Sequence, residues 1–442
     1  MKWEAPSAEA IALKIAGGAV SARDVTAACL DRIAAREAEV HAFAFLDPAH
    51  ALRQADALDA HRKAGRPIGP LHGLPVALKD IVDTADMPTE NGTPLDAGRR
   101  PRKDATITAR LRAAGAVILG KTVTTELAFQ CPGPTRNPHN LAHTPGGSSQ
   151  GSAAAVADGM VPLSIGSQTV GSTIRPAAFC GIYAMKPTHG AISLAGVLST
   201  SEPLDTCGTF AATLEDIALL TGALIGFDPA DPRTRPMAAA DLLAAVRANP
   251  PMTPLLAFIG GPFWADVSDG TKGLFEELRA LLGDRVDDVA LPGIYENAFA
   301  AHQTIMKASF AKNLRPYRER GGDTLSTNMR EAMDEGAEIR ATDYLAALDW
   351  QKVLTAGLGE IFDRYDAILM PAAMGEAPEG FASTGDSRCN ALATFLGAPA
   401  IAIPAGRGSN GLPLGVQLIG RPGEDGRLLR TAAWLDARLK AA

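Results

Sequence analysis

Three short segments of this 442-residue chain carry side chains that can do chemistry. In GLPVALKD, Gly73 to Asp80, the run Val76-Ala77-Leu78 reads as a buried strand that delivers Lys79 into the interior. Burial disfavours an ammonium, so the lysine pKa of about 10.4 should fall toward neutrality and make Lys79 a candidate base. Pairing with Asp80 is the alternative, but alternation along a strand points those two side chains to opposite faces. In TPGGSSQGSAAAVADG, Thr144 to Gly159, glycines and serines run straight into an alanine-rich segment. In GSQTVGSTIRPAAFCG, Gly166 to Gly181, small residues lead to Ser172. There the backbone can present several N–H groups at one point, as an oxyanion hole requires.

Single motifs within these regions mislead. GAVILGKT, Gly115 to Thr122, satisfies GxxxxGK[ST], yet its four intervening residues are apolar and form a strand, not a phosphate cradle. No strand ending in Asp follows at a distance suited to magnesium. HNLAH spaces His139 and His143 as zinc ligands on a helix would be, but Pro138 and Pro145 bracket them and no glutamate intervenes. GSSQG, Gly147 to Gly151, matches the nucleophile elbow GxSxG with Ser149 as nucleophile. The preceding NPHNLAHTPG, with its prolines, is not the apolar strand an elbow needs. A flexible linker is equally ill-suited, because AAAVA and GMVPLSIG continue the core. The serines therefore sit in a buried, turn-rich connection, where hydroxyls need partners.

The elements that must position these residues follow from patterning. The N-terminal MKWEAPSAEAIALKIAGG reads as a surface helix. A helix over Ser21 to Ala35 has Ser21 as N-cap and Asp24 three residues on. From Pro67 to about Pro203, short apolar runs alternate with Gly/Ser/Thr/Pro turns, as buried strands between helices do. FDPADPRTRP, Phe227 to Pro236, is a break, and LLAFIG after it reads as a strand. A mostly helical excursion covers about 265–363, and DAILMP, PAIAIP and LGVQLIG return to strands before a last helix. Strands on both sides of the excursion predict a single domain over 1–442.

Composition excludes several functions. A net charge of −7 argues against nucleic acid or an anionic membrane as principal partner. No apolar run approaches the roughly 20 residues of a membrane span. The N-terminus carries Glu4 and Glu9 and lacks the compact apolar core of a signal peptide. Five scattered cysteines without a CxxC pair suit reduced thiols in a cytoplasmic protein and give no zinc site.

Read together, the three chemical segments resemble the amidase signature family, whose hallmark is a Ser–cis-Ser–Lys triad on a GGSSxGS core. The family pattern falls on Lys79, Ser148 and, 24 residues later, Ser172. NPHN, SEPLDTCG and NGLPLGVQLIG extend the likeness over nearly the whole chain. KDIVDTADMPTENGT, STIRPAAFCG and STGDSRCN look most like the malonamidase branch. The resemblance implies an α/β/α fold with a mixed, mostly parallel sheet flanked by helices on both sides. It implies an amidohydrolase with no cofactor and no metal, a small-molecule amide as partner, and leaves room for a homodimer. In this scheme Ser172 attacks, its proton passes through Ser148 to Lys79, and the N–H groups of Thr169, Val170, Gly171 and Ser172 hold the oxyanion. A cis bond is implied between Gly147 and Ser148.

Two departures stand out. The family's GTDTGGSIR reads GSQTVGSTI here, so Gln168 replaces an Asp and Val170 a Gly. A valine does not comfortably take φ > 0, so Val170 has either ordinary dihedrals or strain. Arg175 immediately precedes Pro176, which should push it toward an extended or turn conformation. Its planar fork suits a substrate carboxylate, as the malonamidase likeness implies, and points to a malonamate-like substrate. The competing role is structural, on an Asp or on backbone carbonyls. Other readings of the chain are a ureido-carboxylate (allophanate-type) hydrolase, the glutaminase subunit of a tRNA-dependent amidotransferase, or, from GAVILGKT alone, an ATPase.

Overall fold

The computed structural model describes residues 7–236 and 240–441. The expected N-terminal helix runs over Ala8–Ala16 with Ser7 as N-cap, burying Ala8, Ile11 and Ile15; residues 1–6 lie outside the described ones. The next helix, Ala22–Val40, opens on the expected capping box of Ser21 and Asp24 and extends five residues beyond Ala35.

Among the described residues, eleven strands share one sheet. In chain order they are β1 (Phe43–Leu46), β2 (Pro75–Lys79), β3 (Val117–Thr122), β4 (Leu163–Gln168), β5 (Tyr183–Lys186) and β6 (Thr206–Ala211). Then come β7 (Leu256–Phe258), β8 (Val286–Asp288), β9 (Ala367–Pro371), β10 (Ala400–Arg407) and β11 (Pro413–Ile419). Their order across the sheet is β1-β3-β2-β4-β6-β5-β10-β11-β9-β7-β8. The sheet is mixed, as expected, with a smaller parallel share than expected. Parallel pairing is confined to β3-β2-β4 and β9-β7-β8, where helical crossovers return the chain in the same direction. The strands between these groups pair antiparallel, β10 and β11 through the turn at 409–411.

Helices cover both faces, and the strands divide their side chains between two cores. Ala77 faces the core built around Ala153–Val156, Phe179, Phe310 and Phe395. Val76 and Leu78 face the other, with Ile107, Ile217, Phe275 and Leu435. By the same alternation Lys79 shares the face of Ala77. A register shift between Val76/Ile118 and Ala77/Gly120 pairs Lys121 with Leu78, placing the second lysine on the opposite face.

The segment expected to be helical contains Asp269–Leu282, Ala298–Asn313, Arg315–Gly321, Thr327–Ala337 and Ala341–Arg364. It also contributes β8 to the sheet, a three-residue strand too short to declare itself in the sequence. Among the described residues no helix is long and apolar enough to cross a membrane. All five cysteines are free thiols.

Candidate active site

The site forms at the carboxyl ends of the parallel trio β3-β2-β4, where open α/β sheets leave a crevice. Lys79 ends β2 and is wholly buried. Its Nζ lies 2.6 Å from Ser148 Oγ and 2.8 Å from Ser167 Oγ. Among the described residues no carboxylate lies within ion-pair distance of it. Burial lowers Lys79 to about 7, with the more distant Asp205 opposing that shift. The alternative partner goes elsewhere: the Asp80 carboxylate accepts from Glu90 N and lies nearer Lys121.

Ser148 follows a cis peptide bond from Gly147. The carbonyls on both sides of it are held: Arg175 Nη2 donates to Gly147 O at 2.6 Å, and Thr125 N to Ser148 O at 3.2 Å. Gly146, with φ +84°, sits where a Cβ would press on the Pro176 backbone, so only glycine serves. Ser149 then starts the helix Gln150–Ala157. Its hydroxyl donates to Ser167 O and accepts from Ser167 N, while Ser152 Oγ donates to Ile165 O. The serines of this turn therefore have the partners their burial demands, and Ser149 is occupied in joining the turn to β4. It follows a loop, not the strand that a nucleophile elbow needs.

Residues 169–173 link β4 to the helix Ile174–Cys180. Ser148 is 2 % exposed, whereas Ser172 is half-buried, so exposure rises along Lys79, Ser148 and Ser172. Among the described residues no acceptor takes the N–H groups of Thr169, Val170, Gly171 or Ser172. Val170 is not among the residues with positive φ, which settles its conformation as ordinary. Gly171 is glycine for space, because a Cβ there would collide with Asn390 Oδ1. Gln168 does more than an Asp in its place would. Its Oε1 accepts from Thr173 N and Ile174 N, satisfying the first amides of the helix, and its Nε2 donates to Thr394 Oγ1.

Arg175 departs from expectation in conformation: it lies inside the helix Ile174–Cys180. Pro176 falls in the first helical turn, where its missing N–H costs nothing. Arg175 is 4 % exposed, and burial lowers it to about 10, still a cation at neutral pH. Besides Gly147 O, it donates to Thr384 O at 2.9 Å and Thr384 Oγ1 at 3.1 Å.

Other residues of the site were not anticipated. Ser167 accepts from Lys79 Nζ beside Ser148, and its position inside GSQTVGS was the available signal. Asp205, within SEPLDTCG, accepts from Thr169 Oγ1, Thr200 Oγ1, Thr200 N and Ser201 N, which oppose the upward push of burial on its carboxyl. His302 and Thr394 reach the loop from remote helices, and no sequence pattern marks them. Lys121 is buried within β3, bonded to Val82 O and Thr89 Oγ1. His139 and His143 contact the carbonyls of Cys180 and Ala377. No cluster able to hold a metal occurs among the described residues.

Known proteins resemble this chain along nearly its whole length. A glutamyl-tRNA(Gln) amidotransferase subunit from Salinispora arenicola is 36 % identical over 478 residues, covering 98 % of this chain and 96 % of that protein. Among solved structures, the peptide amidase of Stenotrophomonas maltophilia superposes with a TM-score of 0.86 at 28 % identity, covering 99 % of this chain and 98 % of that one. A chain from a vestigial protein complex bearing on the origins of an s-triazine catabolic enzyme superposes with a TM-score of 0.91 at 29 % identity, over 98 % of each chain. The Amidase family model matches residues 24–429. With its buried lysine, its paired serines and this match along nearly its whole length, the chain belongs to the amidase family of amide-hydrolysing enzymes.

Proposed function

We propose that Ser172 is the nucleophile, Ser148 the proton relay and Lys79 the base of a hydrolase acting on small carboxamides. The observation that carries this reading is the 2.6 Å contact between a buried, near-neutral Lys79 and Ser148, beside four amides that lack acceptors. Ser172 Oγ attacks the amide carbonyl carbon as its proton moves through Ser148 to Lys79. The amides of Thr169, Val170, Gly171 and Ser172 receive the developing oxyanion. The same proton returns through Ser148 to the leaving ammonia or amine, and water then hydrolyses the acyl-enzyme. The helical segment at about 265–363 forms part of one amidase domain over 1–442 and shapes the pocket.

Two substrate readings differ in support. The relatives named as glutamyl-tRNA(Gln) amidotransferase subunits favour glutamine as ammonia donor, with this chain working beside other subunits. The malonamate-like reading rests on Arg175 as a carboxylate anchor, and the Gly147 and Thr384 contacts of that side chain weigh against it. Ammonia release from glutamine, malonamate and neutral short amides separates them. A preference for glutamine supports the glutaminase, and a preference for short acidic amides supports the malonamate-like substrate. Ser172→Ala should abolish turnover on all of them; activity retained in that variant would remove Ser172 as nucleophile.

A further inference from the structure

Of the peptide planes in the loop Thr169–Ser172, the following helix holds only the last, through Arg175 N on Gly171 O at 3.0 Å, and an oxyanion site works only if the two before it are also fixed before charge develops. Two side chains from distant parts of the chain hold them from behind. His302, wholly buried on Ala298–Asn313, donates from Nε2 to Thr169 O at 2.8 Å. Thr394, on Arg388–Phe395, donates from Oγ1 to Val170 O at 2.8 Å. In a trans peptide the N–H points opposite to the C=O. A donor on Thr169 O therefore aims the Val170 N–H away from His302, and a donor on Val170 O aims the Gly171 N–H away from Thr394.

We propose that His302 and Thr394 are positioning residues of the oxyanion site, setting the direction of the Val170 and Gly171 amides through the carbonyls behind them. The inference rests on the functional reading above. Proton placement supports it. Gln168 Nε2 donates to Thr394 Oγ1, so the threonine proton is free for Val170 O; the other acceptor near that hydroxyl, Asn390 O, is 3.4 Å away. The orientation of Gln168 is imposed in turn by the two amides its Oε1 accepts. His302 must carry its proton on Nε2 to donate to a carbonyl, and Gln303 Nε2 lies near the other ring nitrogen at 3.5 Å. Burial lowers His302 to about 4, so the ring is neutral at neutral pH. Thr169 is held by its side chain as well, on Asp205 at 2.7 Å.

The test compares His302→Phe, His302→Gln and Thr394→Val with wild type, each checked for folding by thermal melting. The readouts are kcat and KM on the best carboxamide, and the affinity of an aldehyde analogue that forms a tetrahedral adduct with the nucleophile. Deleting an oxyanion donor outright costs about 100- to 1000-fold in kcat, so misaiming one should cost less. His302→Phe should lower kcat and aldehyde affinity together by about 10- to 100-fold with KM nearly constant. His302→Gln keeps an N–H donor and should recover most of the loss. Thr394→Val, nearly isosteric, should show the same pattern at about tenfold, and carries the test if His302→Phe does not fold. Folded variants with unchanged kcat and aldehyde affinity overturn the inference, as does a loss confined to KM. A His302→Gln variant no better than His302→Phe reduces His302 to packing and overturns its half. Wild-type turnover that survives Ser172→Ala overturns the functional reading and this inference together, which separates the two failures.

Discussion

Lys79 at the end of β2 and Lys186 at the end of β5 are both fully buried, and burial lowers both to about 7. Their neighbours differ. Lys79 faces the hydroxyls of Ser148 and Ser167, whereas Lys186 donates to Pro187 O at 3.0 Å, with Asp425 as the charge acting on it. A hydroxyl can surrender a proton to a neutral amine and a carbonyl cannot. A depressed pKa therefore marks desolvation, and the partner decides whether the amine is a base. Lys121, on the other face of the sheet, has a hydroxyl partner too, but a carboxylate close to it keeps its pKa at about 8, above that of Lys79. Asp80 opposes the effect of burial there, and the ammonium rests on Val82 O and Thr89 Oγ1.

The largest expected effect breaks the comparison on the Lys79 side. Lys79→Met should lower kcat/KM by about a thousandfold, within the range for loss of a positioned base. Under the proposed mechanism, wild-type activity should rise with pH through about 7, because Lys79 must be deprotonated to act as the base. The variant should lose that limb along with its rate, and a pH–rate profile with the limb intact would place the proton on another group.

Arg175→Lys comes next. A single ammonium cannot reproduce a fork that holds Gly147 O and Thr384 O at once. Losing a charged hydrogen bond beside Ser148 should cost about 10- to 100-fold in kcat/KM. The loss should be equal on acidic and neutral amides. Kinetics on matched substrate pairs check this, and a loss restricted to acidic amides would restore the carboxylate anchor.

Ser149→Ala should cost less than about tenfold, since it removes two hydrogen bonds to Ser167 and no group that moves the proton. Steady-state rates beside those of Ser172→Ala decide it; the reverse order of severity would make Ser149 the nucleophile.

Lys186→Met should leave kcat and its pH limb unchanged and register in stability instead. A lysine lowered in the folded state binds fewer protons there than in the unfolded chain between about 7 and 10.4. Wild-type stability should therefore rise with pH in that window, by at most about 1.4 kcal/mol per pH unit for each such lysine. Lys186→Met should remove one lysine's share, measured as a shallower slope of denaturant midpoint against pH.

Much of the site was legible because its chemistry is local. The run Val76-Ala77-Leu78 identifies a strand that buries Lys79. The Gly-Gly-Ser-Ser segment could be read as a turn whose hydroxyls need partners, since each is satisfied within β3 or β4 or by Lys79. The conformation of Arg175 was misread because the residue before a proline is disfavoured in helices on average, and the first turn is the exception. The parallel share of the sheet was overestimated because short apolar runs do not encode the direction of their neighbours.

By itself, then, the sequence determined which residue types reach the interior and in what local company: a lysine at a strand end, serines in a glycine turn, and a loop rich in free amides. Periodicity and backbone preference act over a few residues, and those features need no more. Tertiary structure alone decided what stands behind them. It brought Asp205 to Thr169, His302 to Thr169 O and Thr394 to Val170 O, the last two across 133 and 224 residues of chain. It also separated Lys79 from Lys121 through one register shift between β2 and β3. Contacts at such separations are set by the packing of whole helices and by sheet register, and no local pattern records either.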